Sequence, residues 1–217
     1  MTPDLFAAEP LELEDEILGP GAVVLRGFAG AHAAALKEDV ARVSAAAPFR
    51  HLVTPGGFRM SVAMTNCGEL GWVSDRRGYR YDPVDPESGE PWPALPGTLR
   101  ALARDAAARA GHADFMPDAC LINRYAPGAR LSIHQDRDEK DLRAPIVSVS
   151  LGLPATFLWG GDARGDKARR VALHHGDVVV WGGPSRLRFH GVLALKDGEH
   201  PFAGGHRINL TFRKVRP

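Results

Sequence analysis

Ala119-Cys-Leu-Ile-Asn-Arg-Tyr125 opens the part of the chain whose reading decides the fold. From it onward, short β-type runs follow one another between glycine, proline and charge: Leu131–Asp136, Pro145–Leu153, Ala155–Trp159, Val171–His174, Asp177–Trp181, Arg186–Val192 and Arg207–Arg213. Working back from Ala119, two stretches read as helix, the alanine-rich His32–Ala46 and then Ala94–Gly111, which stops at its glycine. Ala22–Phe28 reads as an earlier strand. Helices gathered before a long series of strands predict an α+β chain that is mainly β. The expected form is a jelly roll, with the N-terminal helices packed on the outside of one sheet. Gly 24 and Pro 17 among 217 residues agree with many turns between short elements. Residues 1–20 are expected to be an N-terminal extension and 21–217 one domain.

Composition excludes several classes. No run of about 18 apolar residues is present that would span a bilayer as a helix, and Met1–Pro20 carries Glu9, Glu12, Glu14, Asp15 and Glu16 where a secretory signal has basic and apolar regions. The expectation is a cytoplasmic protein without a membrane partner. Cys67 and Cys120 are too few for a disulfide framework or a cysteine-rich zinc site. Gly160-x4-Gly165 is followed by Asp166 where a phosphate-binding loop needs lysine, so nucleotide hydrolysis is not supported. Charge is uneven: residues 1–108 hold 10 basic and 15 acidic residues, residues 109–217 hold 17 and 11. A basic carboxyl half suits a polyanionic partner.

Three His-x-Asp tripeptides occur, at His112, His134 and His175. The first sits at a helix end before Pro117 and the third in a tight connection between two β runs, where turns need polar residues and glycine. His134 and Asp136 are different, because period-2 geometry puts both on one side of a strand with Leu131 and Ile133 opposed. An imidazole and a carboxylate side by side, with a second imidazole from a distant strand, form the facial triad of non-haem Fe(II) sites, which leaves coordination positions open. His190, at the end of a β run and before Gly191, is the candidate third ligand.

The last strand supplies independent support. In Arg207-Ile-Asn-Leu-Thr-Phe-Arg213, Arg207, Asn209, Thr211 and Arg213 share one face and Ile208, Leu210 and Phe212 the other. An ordinary amphipathic surface strand has the same pattern. The two arginines can also grip a dicarboxylate through charge-assisted bonds, with Asn123 and Tyr125 adding to the set. Iron beside a dicarboxylate holder points to 2-oxoglutarate.

These residues resemble the AlkB family of alkylation-repair dioxygenases. The resemblance is carried by Val53-Thr-Pro-Gly-Gly57, Met60-Ser-Val-Ala-Met-Thr-Asn-Cys-Gly68, Pro117-Asp-Ala-Cys-Leu-Ile-Asn-Arg-Tyr-Ala-Pro-Gly128, His134-Gln-Asp136, Leu142–Pro154, His175–Gly183 and Asn209–Arg213. It implies a double-stranded β-helix, with Fe(II) held by His134, Asp136 and His190. It implies 2-oxoglutarate on Asn123, Tyr125, Arg207, Asn209 and Arg213, with Arg207 at the distal carboxylate and Arg213 nearer the metal. The implied reaction consumes O2 and oxidatively demethylates N-alkylated bases such as 1-methyladenine and 3-methylcytosine, releasing formaldehyde, succinate and CO2. Single-stranded DNA is the implied partner, with duplex DNA and RNA as further candidates. By the same resemblance a substrate flap lies near residues 53–92. Trp72, Tyr79 and Tyr81 would contact the base, Asp138 and Glu139 would favour a cationic ring, and Arg164 would bind substrate; Arg130 and Arg137 are candidate phosphate contacts. Glycines 68, 71 and 78 suggest that the flap moves. The rival expectation is a related hydroxylase of a protein or small molecule, and the absence of a long apolar seam predicts a monomer.

Overall fold

The computed structural model describes residues 14–217. In chain order the regular elements are β1 (Glu16–Gly19), β2 (Ala22–Leu25), α1 (Ala33–Ala46), β3 (Ala63–Gly68), β4 (Gly71–Asp75), β5 (Gly78–Asp82), α2 (Gly97–Arg109), β6 (Ala119–Tyr125), β7 (Leu131–His134), β8 (Ile146–Gly152), β9 (Ala155–Trp159), β10 (Arg169–Leu173), β11 (Val178–Trp181), β12 (His190–Val192) and β13 (Arg207–Arg213). A seven-stranded sheet runs β1-β2-β11-β8-β13-β6-β3 and a four-stranded sheet β10-β9-β12-β7, while β4 and β5 pair as a separate hairpin. All the pairings are antiparallel.

Alternation along the strands of the large sheet makes its two faces. Val23 and Leu25 of β2, Val178 and Val180 of β11, and Ile208, Leu210 and Phe212 of β13 turn to one side, where Leu36, Val40 and Val43 of α1 and Leu99, Leu102, Ala103 and Ala106 of α2 cover them. Spacings of three and four along each helix give it one apolar stripe, and burial of each large side chain there contributes about 1.5–3 kcal/mol. The other face meets the small sheet: Val24, Val179 and Trp181 pack with Phe157, Trp159, Val171, Leu173 and Val192. This is the jelly roll with helices outside one sheet that the order of elements predicted.

The structure departs from the sequence reading in four places. Residues 1–13 of the expected extension lie outside the described residues, but Glu16–Gly19 of that stretch is an edge strand of the large sheet, paired with β2. Within 53–92, β3 belongs to the large sheet, its register set by Met64 opposite Asn123 and Cys67 opposite Cys120. The stretch expected as strand over Arg186–Val192 is strand only from His190, because a 3-10 turn at Gly183–Ser185 continues through bonds from Arg186 N–H to Gly183 O and Arg188 N–H to Ser185 O. β7 stops at His134, so Asp136 comes from the segment just beyond the strand rather than from within it.

Candidate active site

The two sheets deliver different halves of the site. On the small sheet His190 lies directly across from His134 in the β12–β7 pairing, and their rings are 4.4 Å apart between centroids. Asp136 folds back beneath them, with Oδ1 3.6 Å from His134 Nε2 and Oδ2 3.9 Å from His190 Nε2. One ligand atom from each of the three lies within 4.8 Å of the others.

The orientation of each ring is fixed from behind. His134 Nδ1 donates to Ser132 O at 2.8 Å and His190 Nδ1 to Arg188 O at 2.9 Å. A carbonyl only accepts, so Nδ1 of each ring carries a proton and Nε2 is the atom turned toward Asp136. Burial, with neighbouring His134 adding to it, lowers His190 to about 4, which keeps this imidazole neutral. Burial would also lower His134, but its hydrogen bond to Asp136 and the charge of that carboxylate prevail and raise it. For Asp136 burial works upward and is outweighed by Arg213 and the two histidines, which hold the carboxyl well below its usual range. A divalent cation placed among two neutral imidazoles and a carboxylate relieves the charge that burial penalises, and the donor set fits Fe(II).

On the large sheet, every residue of β13 is buried, polar and apolar alike. That excludes the amphipathic surface strand as an explanation of its alternation. The polar row faces the space between the sheets and is linked rung to rung: Asn209 pairs with Asn123 across β6 and with Ser150 across β8. Asn123 Nδ2 donates to Asn209 Oδ1 at 3.1 Å, Thr211 Oγ1 donates to the same oxygen at 3.0 Å, and Asn209 Nδ2 donates to Ser148 Oγ at 2.8 Å. Arg207 donates Nη2 to Ser150 Oγ at 2.8 Å and lies over the Tyr125 ring, 4.9 Å from its centroid. Ser148 and Ser150 were missed at the sequence level, although Ser-Val-Ser inside an apolar run is a legible period-2 signal.

Two buried nitrogens of Arg207, Nε and Nη1, have no partner, and neither has Asn123 Oδ1. Burial pulls Arg207 below the usual arginine range. A buried guanidinium with donors on two of its nitrogens unmade is costly, and anionic oxygens are what satisfy them. The pocket therefore fits one end of a dicarboxylate. At the opposite end of β13, Arg213 donates to Asp136 Oδ2 through Nη2 at 2.6 Å and Nε at 3.0 Å. Burial would lower Arg213, but the charge of Asp136 dominates, with Tyr81 and Glu139 adding to it, and raises it.

The hairpin stands at the mouth. Trp72 of β4 and Tyr79 of β5 are stacked, with centroids 5.5 Å apart and planes at 14°, and Tyr79 is half exposed. Trp72 Nε1 donates to Asp138 Oδ2 at 2.9 Å, tying this platform to the segment two residues past Asp136. Arg164, exposed on the β9–β10 loop, donates Nη1 to Ile133 O at 2.5 Å and lies over Phe189. Arg130 and Arg137 are exposed.

Two expectations for this region are corrected. Glu139 does not face a substrate: it is buried, with Oε1 accepting from the Tyr81 hydroxyl at 2.6 Å and Oε2 from Arg186 Nη2 at 3.0 Å. Tyr81 thus turns its hydroxyl onto the buried Glu139 carboxylate. The glycines at 68 and 71 serve close packing rather than motion. A Cβ on Gly71 would come within 2.3 Å of the Trp92 indole, and one on Gly68, at φ +121°, within 2.4 Å of Asp118 O. The tripeptide at His175 is structural, since Asp177 accepts from Gly27 N–H at 2.9 Å and from Arg26 at 2.6 Å.

Comparison with known proteins agrees with this geometry. The 2OG-Fe(II) oxygenase superfamily matches residues 21–213. Over 213 residues, 98% of this chain and 97% of the relative, the sequence is 60% identical to the alpha-ketoglutarate-dependent dioxygenase AlkB of Salmonella typhimurium. It is 32% identical to the tRNA demethylase abh1 of Schizosaccharomyces pombe, over 69% of this chain and 54% of that protein. The solved structure of OsALKBH1 superposes with a TM-score of 0.82 at 30% identity, covering 93% of this chain and all of that one. A jelly roll carrying a His-Asp-His cluster opposite a row of buried arginine and asparagine defines an iron- and 2-oxoglutarate-dependent dioxygenase, whose reactions use Fe(II), 2-oxoglutarate and O2. The chain belongs to the 2OG-Fe(II) oxygenase superfamily, and within it to the AlkB family.

Proposed function

We propose that the protein removes methyl and other small alkyl groups from ring nitrogens of nucleobases, with 1-methyladenine and 3-methylcytosine as representative substrates. The observation that carries this reading is the stacked Trp72–Tyr79 pair bonded through Trp72 Nε1 to Asp138, two residues beyond Asp136. An aromatic platform and a carboxylate beside the His-Asp-His cluster suit a flat, cationic, extruded ring: the face attracts the charge, and Asp138 would accept from an exocyclic amine.

His134, Asp136 and His190 would hold Fe(II). Arg207, with Tyr125 and Asn123, would take the distal carboxylate of 2-oxoglutarate, while Arg213 and Asn209 serve the end nearer the metal. When bound, iron and the keto acid supply the oxidising power that hydroxylates the N-methyl carbon at the expense of O2, giving succinate and CO2. The hydroxymethyl group then leaves as formaldehyde and restores the base. The side chains of this chain bind, orient and exclude water. Arg164 and the exposed Arg130 and Arg137 would offer positive charge to a phosphate backbone. Single-stranded DNA is the first substrate, because no unpairing cost opposes extrusion, with duplex DNA and RNA next. Residues 16–217 act as one dioxygenase domain of a monomeric cytoplasmic enzyme, and the β4–β5 hairpin is its substrate-facing part.

The test incubates protein, Fe(II), ascorbate and 2-oxoglutarate with an oligonucleotide carrying one 1-methyladenine, followed by mass spectrometry. Methyl loss matched by succinate in wild type, and neither in Asp136→Ala, is expected. Succinate formed without methyl loss would move the substrate to a protein or small molecule.

A further inference from the structure

Arg213 is held on one side by Asp136, a candidate metal ligand. Arg213 donates twice to Asp136 Oδ2, at 2.6 and 3.0 Å. On the reading above Asp136 also gives an oxygen to a metal and Arg213 also faces a carboxylate. A guanidinium shared among these partners keeps its orientation best when a second carboxylate holds it. Glu139 is that carboxylate. Its Oε1 lies 3.2 Å from Arg213 Nε and also accepts from the Tyr81 hydroxyl at 2.6 Å. Its Oε2 accepts from Arg186, which further donates Nη1 to Asp136 O at 2.7 Å and Nε to Ala144 O at 2.9 Å. Glu139, Arg186 and Arg213 are all buried, and with Asp136 the two acids and two arginines balance in charge. Tyr81 stands across from Trp72 in the hairpin register. One carboxylate oxygen therefore joins the strand that faces the platform residue to the arginine that faces the cosubstrate.

We propose that Glu139 is the positioning residue for Arg213 and that Tyr81 is its latch. Together they hold the guanidinium for the cosubstrate carboxylate and make seating of the hairpin and binding of 2-oxoglutarate favour each other. The inference rests on the assignment of Arg213 to 2-oxoglutarate in the preceding section. Coupling of this kind is reciprocal: a nucleic acid that seats the hairpin tightens 2-oxoglutarate by the factor with which 2-oxoglutarate tightens the nucleic acid.

The experiment uses wild type, Tyr81→Phe and Glu139→Gln with Mn(II) in place of iron, so that nothing turns over. Mn(II) affinity is measured alone by electron paramagnetic resonance. 2-Oxoglutarate affinity of the Mn(II)-loaded protein is then measured by calorimetry, with and without a methylated single-stranded oligonucleotide. Tyr81→Phe is expected to weaken 2-oxoglutarate about fivefold, to leave Mn(II) within about twofold, and to abolish most of the tightening that the oligonucleotide produces in wild type. Glu139→Gln is expected to weaken it about tenfold or more. Should Glu139→Gln fail to fold, Tyr81→Phe, which removes one oxygen, still decides. Wild-type 2-oxoglutarate affinity in Tyr81→Phe, or an equal loss of Mn(II) and 2-oxoglutarate, would overturn the proposal. A wild type that binds Mn(II) but no 2-oxoglutarate would overturn the proposed activity and this inference with it.

Discussion

At the scale of single residues, Arg207 is the most informative side chain in the site. It is buried and stacked on Tyr125, with two nitrogens unpartnered, so its contribution depends on the guanidinium shape rather than on charge alone. Lysine keeps the charge but loses the planar edge, the bond to Ser150 and the stacking surface. Arg207→Lys is therefore expected to raise the KM for 2-oxoglutarate by about tenfold to a hundredfold, with a smaller change in kcat at saturation, read from initial rates of succinate formation. An unchanged KM would remove Arg207 from the cosubstrate site. Legibility at this scale was uneven. Glu139 stood in the sequence as one of two adjacent acids, and nothing in an Asp-Glu pair says which will be exposed. The fold decides, because Asp138 reaches Trp72 at the mouth while Glu139 turns in between two arginines.

At the scale of elements, the hairpin is held by packing that a single methyl group disturbs. Gly71 lies under the Trp92 indole, whose Nε1 donates to Asp82 O at 2.9 Å. Gly71→Ala is expected to destabilise the protein by about 1–3 kcal/mol, and amide exchange across Gly71–Asp82 should accelerate more than exchange in β13. Beside the stem, Arg50 bonds both oxygens of Asp85, at 2.8 and 2.5 Å, and lies over Trp92. Burial would raise the Asp85 carboxyl, but the Arg50 bonds outweigh it and hold it below the usual range. A depressed folded pKa contributes stability that is fully present above the unfolded value of about 3.9 and is lost as pH falls through the folded value. Asp85→Asn should thus cost about 2 kcal/mol at neutral pH, in denaturant melts, and progressively less below about pH 4. A gap that stayed constant down to pH 2 would contradict the ion pair. β6, β9 and β13 have the ends the sequence pattern predicts, β13 by its clean alternation. β3 was not legible as a sheet strand, because both its faces are covered and its polar residues are satisfied inside: Thr65 donates to Ala47 O, and Asn66 pairs with the Trp72 backbone. β12 was overread, since Arg186–Phe189 has strand-like composition and is bent by the turn before it.

At the scale of the whole molecule, two sheets each carry an incomplete site. The small sheet holds the imidazoles and the large one the arginines, and Asp136, beyond the end of β7, touches both through His134, His190 and Arg213. The residue types and their alternation were readable along the chain, but the convergence was not, because it depends on the His134–His190 register and on the facing of two sheets that the sequence does not state. Among the described residues no helix is long and apolar enough to cross a membrane. The most direct measurement is an anaerobic optical titration of the protein with Fe(II) and then 2-oxoglutarate. A visible metal-to-keto-acid charge-transfer band that needs both components and disappears in Asp136→Ala is the predicted result. No band in wild type, or an equal band in Asp136→Ala, would contradict a single shared site for iron and 2-oxoglutarate between the two sheets.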